Sequence, residues 1–326
     1  MATAVNDTAA AAVPRRGRVA TGRALIGSTL ARAWRDRVLG LAAEAGFWQL
    51  LSLPSLLLAV LGVIGYFSGS LGHDTLNDLE SAIVRGLKHV VVPTAVDSTL
   101  RPALDRILHG GRADVVSIGF IVSFWTGSSA MATFVNTITI AYGLRHHRGA
   151  VRSRIVALQL YLAFVAVGVV LLPLLVLGPA LITKLTPDHW RHAVHVVTLI
   201  GYWPVVVLIS LALLTSLYHL AIPVRTPWRR ALPGAVVGLG VWVIGSILLR
   251  MWLTWAFRST ATYGPLSAPI AVLVFLYLTA LAILLGAELN AEIDRLWPVQ
   301  ATAQARAEEA EVIAAEAAQV AARPDP

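Results

Sequence analysis

Thirty consecutive residues, Val115 to Leu144, carry no charge and lie between Asp114 and Arg145. A helix needs about 20 such residues to cross the hydrocarbon of a bilayer. Within lipid the backbone must satisfy its own hydrogen bonds, so a run of this kind is expected to be helical. It is also the most polar of the chain's long uncharged runs. Thr126, Ser129, Thr133, Asn136 and Thr137 recur at steps of three and four, which collects them on one side of a helix. Small and hydroxylated residues let membrane helices approach closely and bond across their contacts. This run is the expected centre of a bundle.

Composition extends the argument to the whole chain. Of 326 residues, 57% are hydrophobic and 13% charged. Soluble domains carry about 25% charged residues, so the chain reads as a membrane protein. There is no cysteine, which excludes disulfide frameworks, thiolate metal sites and cysteine nucleophiles. The net charge of +8 comes from arginines placed mostly beside apolar runs. Anionic lipid headgroups and membrane orientation account for that placement without nucleic acid.

Taken in order, residues 1–22 form a basic, Ala-rich N-terminus expected to be disordered. Arg15, Arg16 and Arg18 are followed by no apolar run of signal-peptide type. Residues 23–44 place Ile26, Leu30, Trp34, Val38 and Leu41 at near-helical spacing among arginines. The expectation is one amphipathic helix on the membrane surface; the plainer alternative is a solvated helix packed on the bundle. Six spans follow, at about 46–67, 115–142, 155–182, 194–222, 232–257 and 263–287. Pro54, Pro173 and Pro204 fall inside three of them, where a lost N–H predicts a kink or a local opening. The connection from Ser68 to Ala113 is too long for a hairpin and too charged for a span. Its two apolar stripes, split by Pro93, predict two short amphipathic helices over the outer mouth. Residues 296–326 form an Ala- and Glu-rich tail with almost no large apolar face, expected to be a solvated or frayed helix.

Arginines in short connections set orientation. They crowd the segment before the first span, the turn with Arg145, Arg148, Arg152 and Arg154, and the turn with Arg225, Arg229 and Arg230. Alternation then puts both termini in the cytoplasm. The domain expected is a six-span membrane domain over residues 23–295.

Few residues offer chemistry. No metal-binding or acid–base motif of nuclease type occurs, so no catalytic residue, metal or cofactor is assigned. His189, His192 and His195 are spaced by three, yet only Asp188 is near, and they read as an interfacial helix start. Arg250 is the one charge embedded in a long span. It either serves a pathway or headgroup site, or snorkels to the outer interface. Glu288 and Asn290 close the last span, as a cytoplasmic gate or bundle contact, or as a polar helix exit with solvated ends. The Thr126–Ser129–Thr133–Asn136 stripe has two readings as well, packing or a hydrated pathway. The spans show no buried charge pair suited to ion coupling.

Several motifs in order resemble the YihY/BrkB family of inner-membrane proteins. They are FWQLLSLPSLLL from Phe47 to Leu58, the polar run ending in Asn136 and Tyr142, and Tyr218 to Pro223 with Trp228-Arg229-Arg230 and Pro233-Gly234-Ala235. Tyr263-Gly264-Pro265-Leu266 and Gly286-Ala287-Glu288-Leu289-Asn290-Ala291 complete the set. The resemblance implies a six-span bacterial inner-membrane protein. Members of that family have carried ribonuclease and virulence-factor labels, and some are linked to envelope lipid export.

The fold expected is therefore an all-α membrane protein. It has a six-transmembrane-helix bundle, an N-terminal amphipathic helix and a helical extracytoplasmic connection. The function expected is non-enzymatic export of an amphiphilic envelope component such as a lipid, with anionic membrane lipids as partners at the arginine clusters. The alternative is a structural protein that organises the envelope and has no pathway.

Overall fold

A computed structural model describes residues 18–66, 113–145, 147–185, 191–258 and 267–321. The helices expected over the outer mouth, most of the basic N-terminus, His189 and the Tyr263–Leu266 motif lie outside the described residues.

Among the described residues every regular element is helical. The order is α1 (Arg18–Arg35), α2 (Val38–Tyr66), α3 (Ala113–Ala141), α4 (Ala150–Leu185) and α5 (Arg191–Ala221). A 3₁₀ turn (Trp228–Ala231) then leads into α6 (Leu232–Arg258), α7 (Ser267–Leu296) and α8 (Gln300–Ala321). Among the described residues four helical stretches are long and apolar enough to cross a membrane: Ala150–Val169, Gly201–Ala221, Trp228–Trp255 and Pro269–Leu296. Val38–Leu53 is a shorter apolar stretch. Over its described residues α3 contributes no stretch to that group.

Packing follows chain order. Each of α2 to α7 packs on its sequence neighbour where the connection is short, α2 lies along α3, and α7 closes onto α2. α3 also touches α5 and α7 across the middle. It supplies side chains to both apolar clusters: Val135 and Ile138 to one, Phe134 to the other. The helix that carries the hydroxyl stripe is therefore the central one, as its sequence predicts. Outward faces are apolar, with Ile244, Leu248, Met251 and Trp255 of α6 exposed, which suits a helix against lipid better than one against water.

Local chemistry explains the breaks. α3 ends in a Schellman motif: Leu144 N–H donates to Thr139 O (3.0 Å) and Gly143 N–H to Ile140 O (2.9 Å). Gly143 stands at φ +71°, where a glycine lacks the Cβ clash. Arg37 adopts φ 56° without being glycine, and it separates α1 from α2. The amphipathic helix expected over 23–44 is thus two elements. Val38 and Ala42 start α2 and are buried, whereas α1 rests on α7 through Thr29 and Ala33 and leaves Ile26, Leu30 and Trp34 exposed. α2, α4 and α5 run helically through positions 54, 173 and 204, so no proline breaks its helix. One lost donor per proline does not outweigh the packing of long helices on both sides.

The tail is a helix that is exposed over most of its described length and docked at its start. α8 docks at its first turns, where Thr302 and Ala305 are buried. Thr302 Oγ1 donates to Asp294 Oδ1 (3.1 Å), and Arg306 pairs with Asp294. Polar anchoring replaces the apolar face that the tail lacks.

Asp36 sits in the α1–α2 turn. Burial pushes its carboxyl above its ordinary value, against the opposing pull of Arg32, Arg35 and Arg145. A raised folded value means that the folded state binds the proton more tightly than the unfolded one. That stabilisation is complete below the unfolded value of about 4 and is lost as pH rises through the folded value. Asp36→Asn should therefore raise the thermal midpoint near neutral pH and leave it unchanged in acid. A lower midpoint at neutral pH would show that the arginines, not burial, dominate.

Candidate functional site

Three buried carboxylates and a buried amide gather where α7 approaches its C-terminal end. Gly286, Glu288, Asn290, Glu292 and Asp294 alternate along two sides of that helix. Each side is built by residues four apart.

One side meets α6. Gly234 and Gly286 let the two backbones touch. A Cβ on Gly286 would strike Gly234 O and Tyr218 Oη, and one on Gly234 would strike Gly286 O and the Asn290 amide. Tyr218 is fully buried and donates to Ile283 O (2.6 Å). Asn290 accepts from Gly234 N–H (2.7 Å) and donates to Ala231 O (3.0 Å). It thereby satisfies one backbone donor that the first turn of α6 leaves open. Arg230 donates to Trp297 O (2.5 Å) and closes the same junction. The motifs around Tyr218, Gly234 and Gly286–Asn290 are thus one structural knot. Asn290 is a bundle contact, and its side chain is not solvated.

The other side meets α1. Glu292 pairs with Arg32 (2.5 Å). Arg295 caps α3 by donating to Ala141 O (2.8 Å). One turn deeper, Glu288 is 1% exposed, and neither of its oxygens accepts a hydrogen bond from a described group. The charges acting on it most strongly are Asp36, Arg32 and Glu292. Glu44 of α2 accepts from Thr133 of α3 (3.1 Å). Arg32 keeps 30% exposure against 8% for Glu292, so their pair is half-buried at the α1–α7 contact and lies outside the spans expected from sequence. Hydropathy averaged over a window hides carboxylates that sit at a helix end among small residues.

The α3 stripe divides. Thr126, Ser129 and Thr133 are buried, as is Thr137. Their hydroxyls donate back to carbonyls one turn earlier: Thr126 to Val122 O (2.8 Å), Ser129 to Trp125 O (2.7 Å), Thr133 to Ser129 O (3.2 Å) and Thr137 to Thr133 O (2.7 Å). Asn136 departs from them. It is exposed, accepts from Ser153 Oγ (2.9 Å), and lines an open cleft of about 540 Å³ between α3 and the start of α4. Arg250 lies on the exposed face of α6, away from Glu288 and Asn290. It is not brought together with the other candidates.

Sequence reasoning missed Glu44, Glu292 and Asp294, and it took Arg32 as one charge of a surface helix. The four-residue steps Gly286–Asn290–Asp294 and Glu288–Glu292 were a usable signal, since they extend two faces of the last span inward. Among the described residues no group of three His, Asp or Glu is arranged to hold a metal ion.

Comparison with known proteins fits this convergence of motifs. The profile of the virulence factor BrkB family matches residues 29–311, most of the chain. The chain belongs to that family. A ribonuclease-like protein of Bacillus subtilis (strain 168), YfkH, is a relative at 26% identity over 256 residues, 78% of this chain and 89% of that protein. No solved structure matches. The match takes in every element from the end of α1 to the first half of α8. The docked start of α8 is thus part of this BrkB-family unit rather than an appended tail.

Proposed function

We propose that this BrkB-family chain is a six-span protein of the bacterial inner membrane, with both termini cytoplasmic, that moves an amphiphilic envelope component without enzymatic chemistry. A lipid fits an amphiphile with that destination. Arginines in three segments on one side support the orientation. The exposed stripe of Ile26, Leu30 and Trp34 on α1 supports a helix lying on the membrane surface.

The observation that carries the reading is Glu288. A buried carboxylate without a donor costs stability, and ionisable groups within membrane bundles mark pathways by default. The non-enzymatic part rests on the lack of a paired acid and base of nuclease type in the sequence. The ribonuclease-like name belongs to the B. subtilis relative.

A second reading has its own support. The buried α3 hydroxyls are satisfied within their own helix, as packing residues would be.

The absence of cysteine provides the test. Single cysteines at Ser129, Thr133 and Asn136 are exposed in intact cells to a membrane-impermeant thiol reagent, with Asp188 and Arg148 as outer and inner controls. Under the proposal Ser129 and Thr133 react while Arg148 stays protected. If only Asp188 reacts, no water path reaches α3 from outside, and the structural reading replaces transport. If Arg148 reacts and Asp188 does not, the orientation is wrong.

A further inference from the structure

We infer that the cleft between α3 and α4 binds the phosphate of an anionic lipid headgroup. Its polar lining comes from Asn136 and Thr139 of α3, Arg145 and Arg148 of the turn, and Ser153 and Arg154 of α4. Three guanidinium groups and no carboxylate line a space of about 540 Å³. Small-ligand sites span about 300–1,000 Å³, so the cleft has room for a headgroup.

The three arginines are held differently. Arg154 donates to Ser128 Oγ (3.2 Å) and Ser129 Oγ (3.0 Å) and stacks over Trp125 at 5.2 Å. Arg148 reaches Ala221 O and Ile222 O only at 3.4 and 3.5 Å, so its hydrogen bonds to the end of α5 are long. Burial and neighbouring Arg152 both lower its pKa, which marks a cation short of compensating charge. Arg145 is exposed, and among the described residues it has neither a hydrogen-bond nor an ion-pair partner. Asp36 feels its field without pairing with it. Asn136 spends its oxygen on Ser153, which leaves its amide hydrogens for a ligand. Ala150, where α4 begins, is also in the lining, and a helix start favours an anion. A tetrahedral oxyanion matches this set of donors without acceptors, because guanidinium groups bond phosphate in charge-assisted pairs.

A lipid, rather than free phosphate, is indicated by what flanks the cleft. Val151 and Ile155, in the first turns of α4, and Trp125 of α3, whose ring Arg154 covers, are exposed apolar side chains. They offer a surface for acyl chains next to the charged end. The inference goes beyond the transport reading: the headgroup is held there whether or not the lipid later crosses.

The test uses the full chain in a non-ionic detergent, titrated with short-chain phosphatidylglycerol, phosphatidylcholine and inorganic phosphate. Phosphatidylglycerol should bind more tightly than either of the others. Arg145→Gln should weaken it about tenfold, as expected for losing one charge-assisted hydrogen bond. Arg145 makes no contact that folding needs, and an unchanged thermal midpoint checks this. Arg152→Gln removes an equal charge outside the lining and should leave binding intact. Equal weakening by both variants would mean general attraction to a basic surface and would overturn the site. Inorganic phosphate competing as well as the lipid would overturn the lipid assignment. Failure of Ser129 and Thr133 to label in cells would remove the transport reading and leave this result standing.

Discussion

Gly286→Val should yield little or no folded protein. Two backbones meet at that residue. On one side lies Gly234 O of α6; on the other, the hydroxyl of fully buried Tyr218. Neither gives way cheaply. Gly234 is pinned by its N–H to Asn290, and Tyr218 by its bond to Ile283 O. A valine therefore has to push α6 off α7, which breaks the Asn290 bonds as well. Overpacking a core by a methylene or two costs about 1–3 kcal/mol. Three heavy atoms forced against backbone should cost at least about 3 kcal/mol, a large part of a typical stability of about 5–15 kcal/mol. Gly240 is the control, since a Cβ there meets nothing within 4 Å. Gly240→Ala should be neutral or stabilise by up to about 1 kcal/mol through helix propensity. Size-exclusion profiles and thermal midpoints in detergent read both. A monodisperse Gly286→Val protein that melts like the parent would rule out the close α6–α7 crossing.

Glu288→Leu should have the opposite sign. The residue it replaces is fully buried with no described donor, and two of the three charges acting on it most strongly, Asp36 and Glu292, are acidic. Replacing a buried charge by an apolar side chain of similar volume is often neutral or stabilising by about 1–4 kcal/mol. The thermal midpoint should rise. If the carboxylate serves passage of a substrate, vesicles holding the variant should lose movement of a labelled lipid while the protein melts later. Stability gained where activity is lost is the usual mark of a functional group. A fall in midpoint would assign Glu288 to structure, with a donor that the static arrangement does not display. Unchanged lipid movement would remove it from the pathway.

Much of the architecture was legible from residue order. Charge-free runs specify helices, because lipid offers no partner for an open backbone. The polar α3 run proved central for the reason its composition indicates: hydroxyls that bond within their own helix can be buried, and small ones let neighbours approach. The motifs of the BrkB family were also visible as strings. Their meaning was not, since Tyr218, Gly234 and Asn290 are scattered over more than 70 residues and meet only when α5, α6 and α7 cross. The α1–α2 break was hidden too. Ile26 to Leu41 keeps a helical period straight through Arg37, and nothing in that period encodes one residue with φ 56°.

By itself, then, the sequence determined the helical class, the apolar stretches, the polar central helix and the family. Each depends on sums over neighbours along the chain, which a sequence contains in full. Tertiary structure alone decided which polar residues are paired, which are stranded and which face a cleft. Arg32 and Glu292 are 260 positions apart and 2.5 Å apart in space. Glu288 and Glu292 are one turn apart, yet among the described residues only the second forms an ion pair with an arginine. Asn136 shares a helical side with Thr133 and still ends in the open cleft that α3 forms with the start of α4. Electrostatic and hydrogen-bond energies fall off over a few ångströms, so they depend on the partner that packing supplies.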